Sequence, residues 1–338
     1  MMKRYFSLLI LITISCFLNA QTIHQLTNKE KISLRGLSVV NDAIIWASGS
    51  NGQVARSIDG GRNFEWIIVK DHEKRDFRDI EAFDANAAVI MAVDVPAIIL
   101  KTNDGGKTWK EVFHDERKGM FLDAMDFTSD GNGIVVGDPI NNKLFVATTN
   151  DSGNTWVEKN EEKNFYRVDT GEALFAASGT NIISRSSKDF LNSFIVTGGT
   201  KSRLFIDDSI YDLDIMQGKE STGANSIAVN NNQLGVVVGG DFAHDSIAEN
   251  NCILFTYKGS RIQFTKPKTS PHGYRSCVAY IATKKLISCG TSGVDISNDG
   301  GINWKLISNE SFNVCAKAKT GNAVFLAGKD GRIAKLAN

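Results

Sequence analysis

The nonapeptide Lys101-Thr-Asn-Asp-Gly-Gly-Lys-Thr-Trp109 decides the fold, because near-copies of it stand at 56–64 (RSIDGGRNF), 148–156 (TTNDSGNTW) and 296–304 (ISNDGGINW). Each copy reads as a hairpin tip. A small polar residue and an Asp start a turn whose own amides bond to the Asp side chain. Gly105 and Gly106 supply backbone angles that a Cβ would forbid. Trp109 then opens the next strand and folds back over the turn. Apolar, β-branched runs flank every copy, and their alternation and glycine punctuation favour strand over helix.

The aspartates Asp59, Asp104, Asp151 and Asp299 are spaced by 45, 47 and 148 residues. The last interval holds three repeats of roughly 49, the length of a four-stranded propeller blade. Blades are therefore predicted over 37–69, 80–113, 125–159, 194–216, 226–265, 276–307 and 314–336, with the repeat lost from the fourth and fifth. A longer connection, about 160–181, precedes the fourth. The seventh lacks an outer strand, and 22–27 is predicted to supply it, closing the ring without an open sheet edge. The expectation is an all-β, seven-bladed β-propeller with its N-terminal strand in the last blade.

Composition fits one large packed domain: 338 residues, 42% hydrophobic, with 38 basic and 38 acidic side chains. That balance predicts no bulk attraction to nucleic acid or to an anionic membrane. Residues 1–20 read as a signal peptide, with Lys3 and Arg4, an apolar stretch from Tyr5 to Leu18, and Ala20 before the expected cut. Thr13 stands where a lipid-attachment motif ending at Cys16 would have an aliphatic residue, so simple export to the periplasm or medium is expected. Beyond residue 20 no apolar run is long enough to span a bilayer, and 21–338 is read as a soluble monomeric propeller.

Export permits disulfides. Cys252, Cys277, Cys289 and Cys315 match no zinc spacing; Cys277 and Cys289 lie on consecutive predicted strands, as a disulfide or as buried thiols. No metal or cofactor is expected, although acidic turns of this kind can hold calcium.

The repeat resembles the Asp-box, or bacterial neuraminidase repeat, S/T-x-D-x-G-x-T-W, which implies a structural role for Asp59, Asp104, Asp151 and Asp299. Together with Trp46-Ala-Ser-Gly-Ser-Asn-Gly52, the chain is similar to the photosystem II stability/assembly factor family. The segments 171–180 (GEALFAASGT), 235–241 (GVVVGGD) and 273–280 (GYRSCVAY) resemble a non-photosynthetic bacterial branch of it. The resemblance implies a non-catalytic assembly partner. Relatives also carry the label oxidoreductase, but there is no G-x-G-x-x-G, C-x-x-C or other cofactor motif here.

Aligning the innermost strands places Arg35, Arg78, Arg275 and Asn313 at one equivalent position on blades one, two, six and seven, which are consecutive around the ring. Three guanidiniums there would hold a carboxylate or phosphate. Asp123, Asp138 and Glu172 would face them, with Asp94 and the turn carrying Asp241 and His244 extending the rim. The first functional reading is a binding or assembly scaffold for a protein or glycan partner of the cell envelope. The second is a sialidase-like glycan hydrolase, since such propellers include sialidases; its candidate residues would be Asp94, Asp138, Glu172, Asp241 and Tyr274.

Overall fold

The computed structural model describes residues 21–159, 166–186, 191–231, 233–258 and 261–337. The expected signal peptide, Cys16 and the last residue lie outside them. Seven antiparallel sheets form the ring, six of four strands and one of six.

Blade one comprises Leu34–Val39, Ile45–Gly49, Gln53–Ser57 and Glu65–Ile68. Blade two comprises Phe77–Ala82, Ala88–Ala92, Ala97–Thr102 and Lys110–Asp115, and blade three Leu122–Phe127, Gly133–Ile140, Lys143–Thr149 and Val157–Glu158. Blade five is built on Thr222–Val229, Leu234–Asp241, Cys252–Lys258 and Arg261–Thr265. Blade six has Cys277–Ala282, Lys285–Gly290, Gly293–Ser297 and Lys305–Ser308.

Blade seven is Val314–Lys317, Val324–Ala327 and Ile333–Ala337, completed by Thr22–Thr27. The closing strand pairs Thr22 with Ala337 and Gln25 with Ala334, as the sequence predicts. Ile333–Ala337 would otherwise present unpaired amides and carbonyls.

Blade four differs from expectation. Its strands are Ile182–Ser186, Leu191–Val196, Arg203–Ile206 and Ser209–Asp212, so the innermost strand lies before the predicted start at 194, in a stretch where the sequence predicts no strand, and the outer strand stops at Asp212 rather than near 216. Part of the preceding connection is itself sheet: Glu172–Ala173 pairs with Gly198–Gly199, which joins blade five at Gly223. Gly198 and Gly223 approach so closely that a Cβ on Gly223 would stand 2.3 Å from the Gly198 Cα.

The four repeated turns share one hydrogen-bond scheme. In the second, the Thr102 hydroxyl donates to Asp104 Oδ1 at 2.9 Å and accepts the Gly106 amide at 3.0 Å, while the Thr108 amide, four residues on, reaches the same carboxylate at 2.9 Å. Ser57/Asp59, Thr149/Asp151 and Ser297/Asp299 repeat it. These bonds, chiefly from Thr108 at Asp104 and from Asn63 at Asp59, hold both carboxyls at about 2. The carboxylates are consumed by their own turns.

The second glycine of each turn packs on the preceding blade. A Cβ on Gly106 would meet Ile67 and Trp46, and one on Gly153 would meet Val89. Apolar cores accordingly sit between blades: Trp46 and Val54 of blade one join Phe77, Ile80, Ile90 and Leu100 of blade two. Trp46 is fully buried, with its indole N–H on the Asp84 carbonyl at 3.1 Å. Truncating such a side chain costs about 3–5 kcal/mol.

Candidate functional site: the channel mouth

On the face away from the repeated turns, a cavity of about 460 Å³ opens at the channel end; Arg35, Arg78, Asp123, Asp138, Tyr274 and Asn313 are among its lining residues. Bulges in four innermost strands aim side chains at it. The register shifts between Leu34 and Gly36, Phe77 and Asp79, Leu122 and Ala124, and Ala224 and Ser226. The extra residues are Arg35, Arg78, Asp123 and Asn225, all at the cavity.

Blade six corrects the alignment by one residue. Gly290 packs on the Arg275 Cα as Gly49 packs on Leu34 and Gly137 on Leu122, so Arg275 occupies the core position and Ser276 the mouth position. A one-residue slip turns a side chain to the other face. Arg275 is fully buried; its Nε donates to Asp295 Oδ2 at 2.7 Å, Nη2 donates to the same oxygen, and Nη1 donates to the Tyr274 carbonyl and the Ser292 hydroxyl. It holds the fold and does not face the mouth.

The mouth is crossed by the segment 174–180. The Ala177 carbonyl accepts from Arg35 at 3.2 Å and the Ala176 carbonyl from Arg78 at 3.4 Å. The Ser178 hydroxyl donates to the Ser276 carbonyl, and Thr180 meets the Ser226 hydroxyl, each at 2.7 Å. Gly179, at a φ of 67°, lies against Asp79, where a Cβ would stand 2.3 Å from the carboxyl carbon. The motif at 171–180 therefore plugs the channel and forms the floor of the cavity.

Charge on this floor is unevenly compensated. Arg78 Nε pairs with Asp76 at 2.8 Å and its guanidinium lies 5.9 Å from the centre of the Phe121 ring. Burial first, then the adjacent Arg78 cation, lower the Arg35 guanidinium from its ordinary value. Asp123 is 1% exposed, and neither carboxyl oxygen makes a hydrogen bond of normal geometry, although the amides of Asp138 and Ala176 point near them. Burial, then neighbouring Asp138, pushes Asp123 well above the usual carboxyl range. Burial likewise pushes Asp138 up to about 6, against the Leu174 amide at 3.1 Å. Burial thus disfavours the charged form of Asp123, whereas Asp138, at about 6, is mainly ionised at neutral pH beside the two guanidiniums.

Other candidates are engaged elsewhere. Glu172 is buried and bound by Arg203 Nε at 2.9 Å and by the Asp169 amide at 3.0 Å, so it ties the plug to blade four. Asp241 is buried and caps its own loop, accepting from the Ala243 amide and meeting the exposed His244 ring, both at 2.9 Å. Neither residue lines the cavity, and neither does Asp94, an exposed residue at a φ of 69° whose carbonyl accepts from Arg75. Tyr274 does, but its buried hydroxyl donates to Asn225 at 2.8 Å, and Asn313 spends its amide on the Leu34 carbonyl at 2.8 Å.

The sequence reading missed the aromatic wall. Phe175, Phe242 and Tyr274 pack edge to face, with centroids 5.8 and 6.3 Å apart, and Phe242 remains 49% exposed. An aromatic in a polar loop such as 241–251 is the one signal that pointed there.

A cavity of about 940 Å³ lies at the opposite end, among Glu81, Asp126, Arg185 and Lys319. Its charges are used internally: Lys319 binds Glu81, Asp126 accepts from Ser184, and Arg185 donates to the Val229 carbonyl.

These features define a seven-bladed β-propeller with a plugged, arginine-bearing mouth. No protein-family model and no curated protein matches the chain. Among solved structures it is similar to YCF48 bound to a D1 peptide, at 15% identity and a TM-score of 0.65, over 95% of this chain and 96% of that one. YCF48 from Cyanidioschyzon merolae is similar at 17% identity and 0.61, over 93% and 98%. A GH74 xyloglucanase from Xanthomonas campestris is similar at 14% and 0.60, over 93% of this chain but 53% of the enzyme. At these identities the likeness establishes the fold.

Proposed function

We propose that this propeller is an exported, non-catalytic scaffold that binds an acidic peptide segment of a partner protein at the channel mouth. The observation that carries the reading is the pair Arg35 and Arg78, adjacent at one cavity where burial disfavours the charged form of Asp123. Their forks suit carboxylates, and the exposed Phe242 edge offers apolar contact to the flanking chain. The structural neighbour YCF48, which holds a peptide, supports a peptide over a glycan. Export rests on the composition of residues 1–20.

The test is fluorescence anisotropy with a library of acidic peptides, each also made with its carboxylates amidated. Arg35→Ala and Arg78→Ala should each weaken binding by about tenfold or more, equivalent to about 1.4 kcal/mol. Affinity should fall with added salt and rise as pH drops through about 6, where Asp138 takes up its proton. Binding that ignores both arginine substitutions would refute the proposal.

A second reading, glycan hydrolysis, is favoured by one feature: Asp123 and Asp138 are neighbouring carboxyls of raised proton affinity in one cavity. It requires turnover of an acidic glycan that Asp123→Asn and Asp138→Asn abolish while the fold persists.

A further inference from the structure

Cys277, Cys289 and Cys315 converge in the apolar core between blades six and seven, with sulfur atoms all within 4.8 Å of one another. Cys277 and Cys289 are register partners on the first two strands of blade six, and Cys315 comes from the innermost strand of blade seven. All are buried free thiols. The sulfurs of Cys315 and Cys277 are 3.6 Å apart, and the Cys315 amide donates to Cys277 Sγ at 3.4 Å. The remaining thiol among the described residues, Cys252, belongs to a different core, between blades five and six.

Packing alone does not ask for this grouping, since Ala or Val fills such space without a reactive sulfur. A disulfide would use two of the three sulfurs and strand the third. A metal ion uses all of them: three sulfurs about 2.3 Å from a central ion stand about 4.0 Å from one another in a plane. The cluster contains no imidazole or carboxylate that would complete a tetrahedral zinc set. Soft sulfur ligands in low number select copper(I). The amide directed at Cys277 Sγ serves as the outer hydrogen bond that spreads a thiolate's charge.

We propose that Cys277, Cys289 and Cys315 form a three-sulfur site for copper(I), fastening blade six to blade seven beside the ring's point of closure. Each thiol that becomes a ligand releases its proton, and no electron is transferred. The ion enters while the blades assemble, because the folded core excludes it.

The experiment is anaerobic refolding of the purified full chain with copper(I) buffered by bicinchoninate, followed by gel filtration, metal analysis and copper X-ray absorption. The expected result is one ion per chain with sulfur-only scatterers. Cys277→Ala and Cys315→Ala should each weaken binding on the order of 100-fold, whereas Cys252→Ala should retain it. Native mass spectrometry of the unsubstituted chain with silver(I) gives a readout independent of whether the variants fold. Absence of bound copper in the refolded chain, nitrogen or oxygen scatterers, or equal loss in Cys252→Ala would overturn the site. So would a disulfide within the trio in protein isolated from the cell envelope.

Discussion

Arg275 and Asp295 form an ion pair in which neither side chain has any solvent exposure, with Nε 2.7 Å from Oδ2. Asp295 also accepts from the His272 amide at 3.1 Å and meets the His272 ring at 2.9 Å. Arg275→Ala leaves a buried carboxylate short of its main partner, and removing one member of such a pair costs about 3–5 kcal/mol. Denaturant unfolding should show that loss. Replacing both residues by apolar side chains of similar volume should recover most of it, because the charge that needed a partner is gone.

Gly179→Ala tests the plug. Its φ of 67° and its approach to Asp79 leave no room for a Cβ. The substitution should destabilise the protein by about 2 kcal/mol or more. It should also weaken peptide binding, since the Ala176 and Ala177 carbonyls that position Arg78 and Arg35 move with it. Destabilisation with unchanged binding would separate the plug from the site.

Asp126 and Asp138 are pushed from 3.8 up to about 6, both by burial. Unfolded, each ionises near its ordinary value; folded, each keeps its proton to about 6. Their contribution to stability is therefore full below about pH 4 and is lost as pH rises through 6, by about 3 kcal/mol each. Asp138→Asn should raise Tm at pH 7 and leave it nearly unchanged at pH 4. The turn carboxylates work in the opposite sense. Asp59 and Asp104, held at about 2, contribute above pH 4 and lose that contribution as pH falls toward 2. Tm plotted against pH should thus peak between about 4 and 5.

Deleting 22–27 removes the partner of Ile333–Ala337 and the Leu26 side chain that packs on Gly61. The expected outcome is a loss of about 3 kcal/mol or more and self-association through the bared strand, seen by gel filtration. A monomer of unchanged Tm would mean that the ring does not depend on this closure.

The blade count, the repeated turns and the closing strand were legible in the sequence because each is a local, periodic signal. A turn must satisfy its own donors, and a propeller must leave no edge. Blade four was harder to read, since it has no repeated turn to fix its register and its innermost strand follows a long connection.

The sequence by itself thus determined a ring of seven antiparallel sheets and the arginine-bearing positions of blades one and two, 35 and 78. Which inner-strand residue reaches the mouth was decided only by tertiary structure, because a bulge sets the face of each side chain and one residue separates Ser276 at the opening from Arg275 in the core. The plug at 174–180, the burial of Asp123 and the meeting of Cys277, Cys289 and Cys315 likewise depend on how blades pack. Burial and proximity arise between segments distant in sequence, where no local pattern records them.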